Sequence, residues 1–302
     1  GGAFAHLYGT WALLPENQRS RIVGFVLNKF RGDRSLLAPA PEDLCRLTGV
    51  PTVGVIPWLD HGLPDEDGAT ITSDERSGPS VTVVRYPTAS NLDEFKRLEQ
   101  VASVRWGDRP GDVTDADLVV LPGSKHVAAD LRWLYASGMA EAVRVRAEAG
   151  RSILGICGGM QMLGERIEDP AGVDGAGDGL GLLPLSTTFA TAKRAEHTSA
   201  RFERLSEPWA ALSGIPMSGY QIRHGETTLT EGAEAALPGG LGFIRGPVLG
   251  IYLHGALKTS EVLEALFHAT PGTSLEDTFE GLADAIEESI DIPALLRTAG
   301  QR

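Results

Sequence analysis

The order of apolar and polar segments along the chain predicts two successive α/β regions. In the first region, the apolar runs at 22–30 and 52–59 have the length and β-branched content of buried parallel strands. A helix is predicted between them at about 41–48, and another over 3–14. The order strand, helix, strand is typical of a right-handed crossover unit, so we expect the two strands to be parallel.

A polar stretch rich in Gly, Pro and acidic residues then interrupts the pattern, which predicts a domain boundary. We expect a first domain over 1–66, a linker over 67–79 and a second domain over 80–302. The second domain is expected to end in an amphipathic helix, because apolar residues recur at helical spacing near the end of the chain. These residues are Leu282, Ile286 and Ile290.

The second region returns to alternating strands and helices, which predicts another parallel sheet. Strands are predicted at 81–86, 117–121, 152–156 and 248–253. Helices are predicted at 127–149 with a break near Gly138, at 158–167 and at 260–269, and 92–101 is expected to be a helix or a loop that contains one. Residues 170–250 are rich in Gly, and the pattern does not fix the positions of their short strands.

Composition restricts the classes of function. With 42% hydrophobic and 22% charged residues, the 302-residue chain is typical of a globular protein. The formal net charge of −13 argues against a nucleic-acid binder, which would show a basic face. Two cysteines are too few for a disulfide framework, and no apolar run is long enough to span a membrane. We therefore expect a cytoplasmic protein. Since residue 1 is not Met, we interpret it as different from the natural start.

One cysteine lies in a motif that favours nucleophilic chemistry. Gly155-Ile156-Cys157-Gly158-Gly159 joins an apolar strand to a helix, as in a nucleophile elbow. The small neighbours let strand and helix approach closely, and a helix N-terminus stabilises a thiolate. The alternative is an inert core cysteine. Gln161 lies one helical turn further, where its amide could reach a substrate bound at the sulfur, or where it is an ordinary exposed helix residue.

A thiol nucleophile needs a base, and His254 has the best position among the seven histidines. It ends a predicted buried strand at the carboxyl edge of a sheet, where α/β proteins place their sites. The alternative is a histidine that only caps the strand. His224 is the second choice and is more easily interpreted as a wall of the pocket. No histidine spacing resembles a metal site, so no metal is expected.

A second turn could complete the site. Leu121-Pro122-Gly123-Ser124-Lys125 follows another predicted strand, so the backbone N–H groups of Gly123 and Ser124 could face Cys157. Together with Gly158, they would then form an oxyanion hole for acyl transfer. A plain turn without this role is the alternative.

Four motifs occur in order along the chain: Leu121-Pro-Gly-Ser-Lys125, Gly155-Ile-Cys-Gly-Gly-Met-Gln-Met-Leu-Gly164, Gly219-Tyr-Gln-Ile-Arg-His-Gly225 and Tyr252-Leu-His-Gly255. Together they resemble the class I glutamine amidotransferase domain of the cobyric acid synthase family. Three earlier stretches are similar to the same family: Gly1–Thr10, Asn28–Asp33 and Gly62–Asp67. The resemblance covers nearly the whole chain.

The resemblance implies a fold and a reaction. The fold would be part of a dethiobiotin-synthetase-like parallel sheet, followed by a flavodoxin-like α/β amidotransferase domain. The family uses glutamine, ATP and magnesium to amidate the b, d, e and g carboxylates of adenosylcobyrinic acid a,c-diamide in cobalamin biosynthesis. This chain would supply the glutaminase half of that amide ligase, with glutamine and the corrinoid as partners.

The resemblance also implies roles for individual residues. The nucleophile falls on Cys157 and the histidine on His254, while Tyr220 and His224 belong to the motif that lines the substrate pocket. Asn28, in the first predicted domain, is expected near the adenine of ATP.

Several positions depart from the family pattern. Most amidotransferases with a catalytic triad have Glu two residues after the histidine, where this chain has Ala256, so we expect a dyad or a substitute carboxylate that the sequence does not identify. Gln221 and Arg223 replace the usual Glu and His, and His126 stands where Asn is common. The chain has no G-x-x-x-x-G-K-[ST] phosphate loop and is interpreted as starting inside the synthetase domain, so ATP and Mg are expected only in the longer enzyme.

Two alternatives stay open at this point. Within the superfamily, the chain could belong to a cobyrinic acid a,c-diamide synthase or to the amidotransferase subunit of a cell-wall ligase. In a different class, it could be a non-catalytic module that binds or docks a corrinoid. Labelling of Cys157 by an electrophilic glutamine analogue would separate an enzyme from such a module.

Overall fold

A computed structural model describes residues 2–59, 78–230, 232, 234–272, 275–293 and 295–296 of the chain. The chain divides into two units, of which the first comprises 1–63 with 273–302 and the second comprises 64–272. Most of the expected linker at 67–79 lies outside the described residues, as does the Gly62–Asp67 motif. Within the described part of the chain, the structure contains no helix with the length and hydropathy of a membrane span.

Two parallel strands and their helices build the N-terminal part of the first unit. The elements are α1 (Ala3–Leu13), α2 (Glu16–Arg19), β1 (Phe25–Phe30), α3 (Ala40–Thr48) and β2 (Thr52–Pro57). β1 and β2 are parallel, so the expected strand–helix–strand order is confirmed. The prediction that β1 is buried on both faces is wrong: Phe25 and Leu27 are buried but Val26 is 37% exposed, because the core with Leu44 and Val50 lies on one face.

The second unit is larger and contains thirteen strands among its described residues. They are β3 (Ser80–Val84), β4 (Ala89–Ser90), β5 (Ser103–Gly107), β6 (Leu118–Leu121), β7 (Gly123–Ser124), β8 (Ile153–Ile156), β9 (Arg166–Glu168), β10 (Gly177–Asp178), β11 (Leu185–Arg201), β12 (Pro216–Leu229), β13 (Glu234–Leu237), β14 (Gly242–Arg245) and β15 (Val248–Ile251). The helices are α4 (Val127–Ala136), α5 (Met139–Glu148), α6 (Gly158–Leu163) and α7 (Ser260–Phe267), and the 3₁₀ turns that concern the site are Leu92–Phe95 and Leu98–Gln100.

A seven-stranded sheet organises this unit, in the order β13-β14-β15-β8-β6-β3-β5. The five strands from β15 to β5 are parallel, and β6, β8 and β15 are buried at every position, which explains their continuous apolar sequences. Because β6, β8 and β15 are neighbours, their carboxyl ends meet at one edge of the sheet. The Leu121–Lys125, Gly155–Gly164 and Tyr252–Gly255 motifs therefore converge there.

Some predicted boundaries hold and others are wrong. The helix expected at 127–149 is broken at Gly138, as predicted, with φ 78°. The helix expected at 158–167 ends earlier, at Leu163, because the backbone of Gly164 is extended. A Cβ on Gly164 would lie 2.8 Å from the Leu185 carbonyl oxygen. The unassigned region 170–250 contains a long antiparallel ribbon of β11 and β12, whose pairing depends on residues distant in sequence.

The C-terminal helix α8 (Leu275–Ser289) belongs to the first unit, whereas the predicted second domain over 80–302 includes it. The contact that holds it explains the difference. Gly54 of β2 forms a backbone bridge with Ile290, just past α8, and a Cβ on Gly54 would lie 2.5 Å from Ile290 Cγ1. The missing side chain of Gly54 leaves room for the Ile290 side chain to pack against β2.

Candidate active site

Cys157 occupies the turn between β8 and α6 in a backbone conformation that side chains rarely adopt. Its φ is 51° and its ψ is −107°, and the residue is 6% exposed. Strain of this kind is typical of a nucleophile elbow. The flanking glycines are required by packing, since a Cβ on Gly159 would lie 2.0 Å from the Leu121 carbonyl oxygen and one on Gly155 would lie 2.4 Å from Leu163 Cδ1. The predicted elbow geometry is therefore present.

His254 follows β15 at the same edge of the sheet and is 1% exposed. Its Nδ1 lies 3.0 Å from Glu94 Oε1, and Glu94 Oε2 accepts a hydrogen bond of 3.0 Å from the Gly255 N–H. The carboxylate thus fixes the plane of the imidazole and holds a proton at Nδ1, which directs Nε2 to the site.

Glu94 is the carboxylate that the sequence left unidentified. It is 1% exposed and lies in the 3₁₀ turn Leu92–Phe95, far from His254 in sequence. The position where the family pattern places Glu holds Ala256, which is buried. The sequence offered no signal that would prefer Glu94 to its neighbour Asp93, whose carboxylate instead contacts Lys258 Nζ at 2.5 Å.

The protonation of His254 depends on both of its partners. Burial lowers the pKa of His254, but hydrogen bonds with Cys157 and Glu94 and the negative charges of these groups outweigh burial and raise the pKa to about 10. A histidine that keeps its proton at neutral pH is the partner that stabilises a thiolate. At neutral pH the His254 imidazole therefore carries a proton.

Tyr220 and Asn91 enclose the imidazole. The Tyr220 ring stacks on His254 with centroids 5.3 Å apart, and its hydroxyl donates to Asn91 Oδ1 at 3.1 Å. Asn91 Nδ2 lies 3.1 Å from His254 Nε2. Burial, with the charges of Asp93, Glu94 and Cys157, raises the pKa of Tyr220 to about 12, so the hydroxyl remains a donor at neutral pH. Tyr220 therefore lies against the imidazole, and Asn91 is a second neighbour that the sequence did not identify.

The turn at Gly123 and Ser124 packs directly against the elbow. A Cβ on Gly158 would lie 2.8 Å from Ser124 N, and a Cβ on Gly123 would lie 2.8 Å from His254 Cε1. The turn, the elbow and the imidazole thus meet without intervening side chains. First-turn N–H groups of α6 and the Ser124 N–H can be directed at one point beside Cys157, which is the requirement for an oxyanion hole.

Gln161 is buried rather than exposed, with 3% of its surface accessible. Its Nε2 donates to Tyr252 Oη at 3.2 Å. The Arg223 guanidinium lies 3.8 Å from the centroid of the Tyr252 ring, and its Nε donates to Gln221 Oε1 at 2.7 Å. Tyr252 and Arg223 extend the site beyond the residues that the sequence identified.

Two predicted residues lie apart from this cluster. His224 Nδ1 is 3.2 Å from the Ala190 carbonyl oxygen across the ribbon, and no hydrogen bond among the described residues joins it to Cys157 or His254. Asn28 belongs to the first unit, where its Oδ1 accepts a hydrogen bond from Lys29 N and its side chain lines a groove with Trp58 and Leu282. The described part of the chain contains no group of three His, Cys, Asp or Glu residues that could hold a metal ion.

The chain is similar to several known proteins. The profile of the CobB/CobQ-like glutamine amidotransferase domain matches residues 80–262. The cobyric acid synthase of Variovorax paradoxus (strain S110) is 50% identical over 307 residues, which cover 98% of this chain and 64% of that protein. That of Polaromonas naphthalenivorans (strain CJ2) is 49% identical over 316 residues, with 99% and 65% covered. The solved structure of PurLQS from Thermotoga maritima aligns with a TM-score of 0.49 at 18% identity, over 63% of this chain and 98% of that chain.

The chain spans less than two thirds of the length of these curated relatives. The amidotransferase profile alone covers more than half of the chain and includes the elbow and the histidine motif. The protein belongs to the family of CobB/CobQ-like glutamine amidotransferases.

Proposed function

We propose that Cys157, His254 and Glu94 act together to release ammonia from the side-chain amide of glutamine. The observation that carries the proposal is the buried contact of 3.0 Å between His254 Nδ1 and Glu94 Oε1, at the edge of the sheet where Cys157 also lies. A nucleophile, a proton carrier and a carboxylate that orients the carrier are the three parts that amide cleavage through a covalent intermediate requires.

The reaction divides into two acyl transfers. The Cys157 sulfur attacks the amide carbon of glutamine, and the electron pair of the C=O bond moves to oxygen, where the N–H groups of Ser124 and Gly158 stabilise it. The C–N bond then breaks, and His254 gives its proton to the departing ammonia. Water, deprotonated by the now neutral His254, attacks the thioester and releases glutamate and the thiolate. Glu94 keeps the imidazole oriented through both steps.

Arg223 binds the α-carboxylate of glutamine in this proposal. Its guanidinium has no carboxylate within ion-pair distance among the described residues, although the chain carries a formal net charge of −13. It lies on the Tyr252 ring, and Tyr252 in turn contacts Gln161, one helical turn from the nucleophile. A planar guanidinium is suited to a carboxylate because it donates two parallel hydrogen bonds.

The ammonia is proposed to amidate a corrinoid. Since the curated relatives are cobyric acid synthases, the longer enzyme would act on the b, d, e and g carboxylates of adenosylcobyrinic acid a,c-diamide with ATP and magnesium. The sequence has no G-x-x-x-x-G-K-[ST] phosphate loop, and ATP and magnesium are proposed to bind only in the longer enzyme. Asn28 as an adenine contact and a cytoplasmic location remain predictions, and His224 remains a predicted wall of the pocket.

Replacement of the nucleophile tests the proposal. Cys157→Ala should abolish glutamate release from glutamine, whereas Cys45→Ala should not, because Cys45 is the other free cysteine and lies on α3. Release is measured with an enzyme-coupled glutamate assay on purified chain. Equal activity of Cys157→Ala and the unsubstituted chain would reject the proposal.

A further inference from the structure

Asp130 is a buried carboxylate to which the proposed reaction gives no role. It lies in the first turn of α4 and is 0% exposed. In the part of the chain that the structure describes, no Lys, Arg or His forms an ion pair with it. Burial of an unpaired charge is costly, so hydrogen bonds must satisfy the carboxylate. The donors of those hydrogen bonds show which segments Asp130 holds in place.

All three hydrogen bonds to Asp130 come from two segments beside the elbow. Asp130 Oδ1 accepts from the Thr88 N–H at 3.0 Å, and Oδ2 accepts from Thr88 Oγ1 and Ser124 Oγ, each at 2.6 Å. The two hydroxyls in turn accept from the His126 N–H, at 3.0 Å for Thr88 and 3.1 Å for Ser124. β4 and β7 pair in antiparallel orientation, and the carboxylate joins the ends of this pair to helix α4.

The segment held in this way packs tightly against Gly158, the residue that follows Cys157. A Cβ on Gly158 would lie 2.8 Å from Ser124 N and 2.9 Å from Ser124 Cβ. A small displacement of Ser124 would therefore move its N–H relative to an oxyanion bound at the elbow. Hydrogen bonds to a developing charge depend strongly on such displacements.

We propose that Asp130 is a positioning residue that holds the Ser124 backbone N–H in place to stabilise the oxyanion. The inference rests on the proposed function, since it concerns the same acyl transfer. Asp130 acts through Ser124 and does not touch the substrate. Its contribution consequently belongs to kcat, because the oxyanion forms only on the way to the transition state.

Two reactions of the same sulfur separate this role from a general structural one. Hydrolysis of glutamine passes through an oxyanion. Alkylation by iodoacetamide forms a bond from sulfur to the CH₂ carbon and breaks the bond from carbon to iodine, so iodide leaves and no oxyanion forms. Loss of positioning should slow the first reaction and leave the second unchanged, whereas damage to the elbow should slow both.

The test compares Asp130→Asn, Ser124→Ala and the control Asp117→Asn in the full chain. Asparagine has a single acceptor oxygen, so it cannot accept from the two hydroxyls and from the Thr88 N–H together. Ser124→Ala keeps the backbone N–H but removes its tie to Asp130. We expect kcat for glutamine to fall about 30-fold in Asp130→Asn and about 10-fold in Ser124→Ala, with KM within about threefold. Asp117 accepts from Ser80 N and Oγ at 2.7 and 2.9 Å at the opposite edge of the sheet, so its variant should match the unsubstituted chain.

Two outcomes would overturn the inference. One is an unchanged kcat in a folded Asp130→Asn or, if that variant does not fold, in Ser124→Ala. The other is a parallel fall of kcat and of the rate constant for alkylation of Cys157. The proposed function fails separately, if Cys157→Ala still hydrolyses glutamine in the same assay.

Discussion

The site is assembled from two regions that the chain holds in different ways. The elbow around Cys157 is determined locally, because its strand, its turn and its helix are consecutive and its glycines allow the close packing. The turn that carries Glu94 is held by distant residues: Arg97 donates to Lys258 O at 2.6 Å and to Ser260 Oγ at 2.8 Å, and Lys258 contacts Asp93. The position of Cys157 is therefore set by local sequence, whereas the orientation of His254 is set by tertiary contacts.

Gly159→Ala would break the local region and should have the largest effect. Its Cβ would lie 2.0 Å from a carbonyl oxygen of β6, which cannot move without disturbing the sheet. We expect a loss of about 3 kcal/mol or more in the free energy of unfolding, measured by chemical denaturation. Gly111→Ala is the control, since a Cβ there meets no atom within 4 Å, and its unfolding midpoint should change little. Equal stability of the two variants would show that the elbow tolerates side chains.

Glu94→Gln tests the distant region. We expect kcat for glutamine hydrolysis to fall about 10- to 100-fold with the protein folded, because a neutral amide no longer stabilises the imidazolium. Asp93→Asn serves as the control and should lose much less, since Asp93 contacts Lys258 rather than His254. If Asp93→Asn proved the more damaging variant, Glu94 would not be the orienting carboxylate.

The same variant has a consequence for stability against pH. The pKa of His254 is raised from 6.5 to about 10 in the folded chain, so the folded state binds more protons between these values. The proton on His254 therefore stabilises the folded state fully below about pH 6.5, and this stabilisation is lost as the pH rises through about 10. Denaturation measured across this window should show that the free energy of unfolding falls less steeply with rising pH in Glu94→Gln. Identical pH profiles would contradict the assignment of the raised pKa to Glu94.

Arg223→Met tests how the ribbon contributes to specificity. Loss of a charge-assisted pair should lower kcat/KM for glutamine about 30-fold, mainly through KM. With 4-aminobutyramide, which lacks the α-carboxylate, the variant and the unsubstituted chain should be equally slow. Arg245→Met, an exposed arginine on β14, is the matched control. A variant that loses activity equally with both substrates would indicate a structural role for Arg223.

Arg97→Met should give the smallest effect. It removes the bonds that tie the Glu94 turn to the segment after His254 but leaves Glu94 itself. We expect about a fivefold fall in kcat with little change in KM, because the carboxylate still reaches the imidazole in part of the population. Steady-state kinetics provide the measurement, and a loss as large as that of Glu94→Gln would show that Arg97 does more than hold the turn.

The sequence predicted the parts of the site that depend on local order. Cys157, the turn at Ser124 and His254 each follow a buried apolar strand, and neighbouring parallel strands bring such positions to one edge. It could not identify Glu94 or Asp130, because acidic residues in a turn and in a helix resemble ordinary surface residues until their distant partners are known. It also missed the long ribbon, since pairing between β11 and β12 has no local signal.

Mass spectrometry of the acid-quenched reaction with glutamine tests whether Cys157 forms a covalent intermediate. We expect a glutamyl group on the peptide that contains Cys157, lost on treatment with hydroxylamine as expected for a thioester and absent from Cys157→Ala. Glutamate release with no such adduct, or an adduct on Cys45 instead, would contradict this expectation.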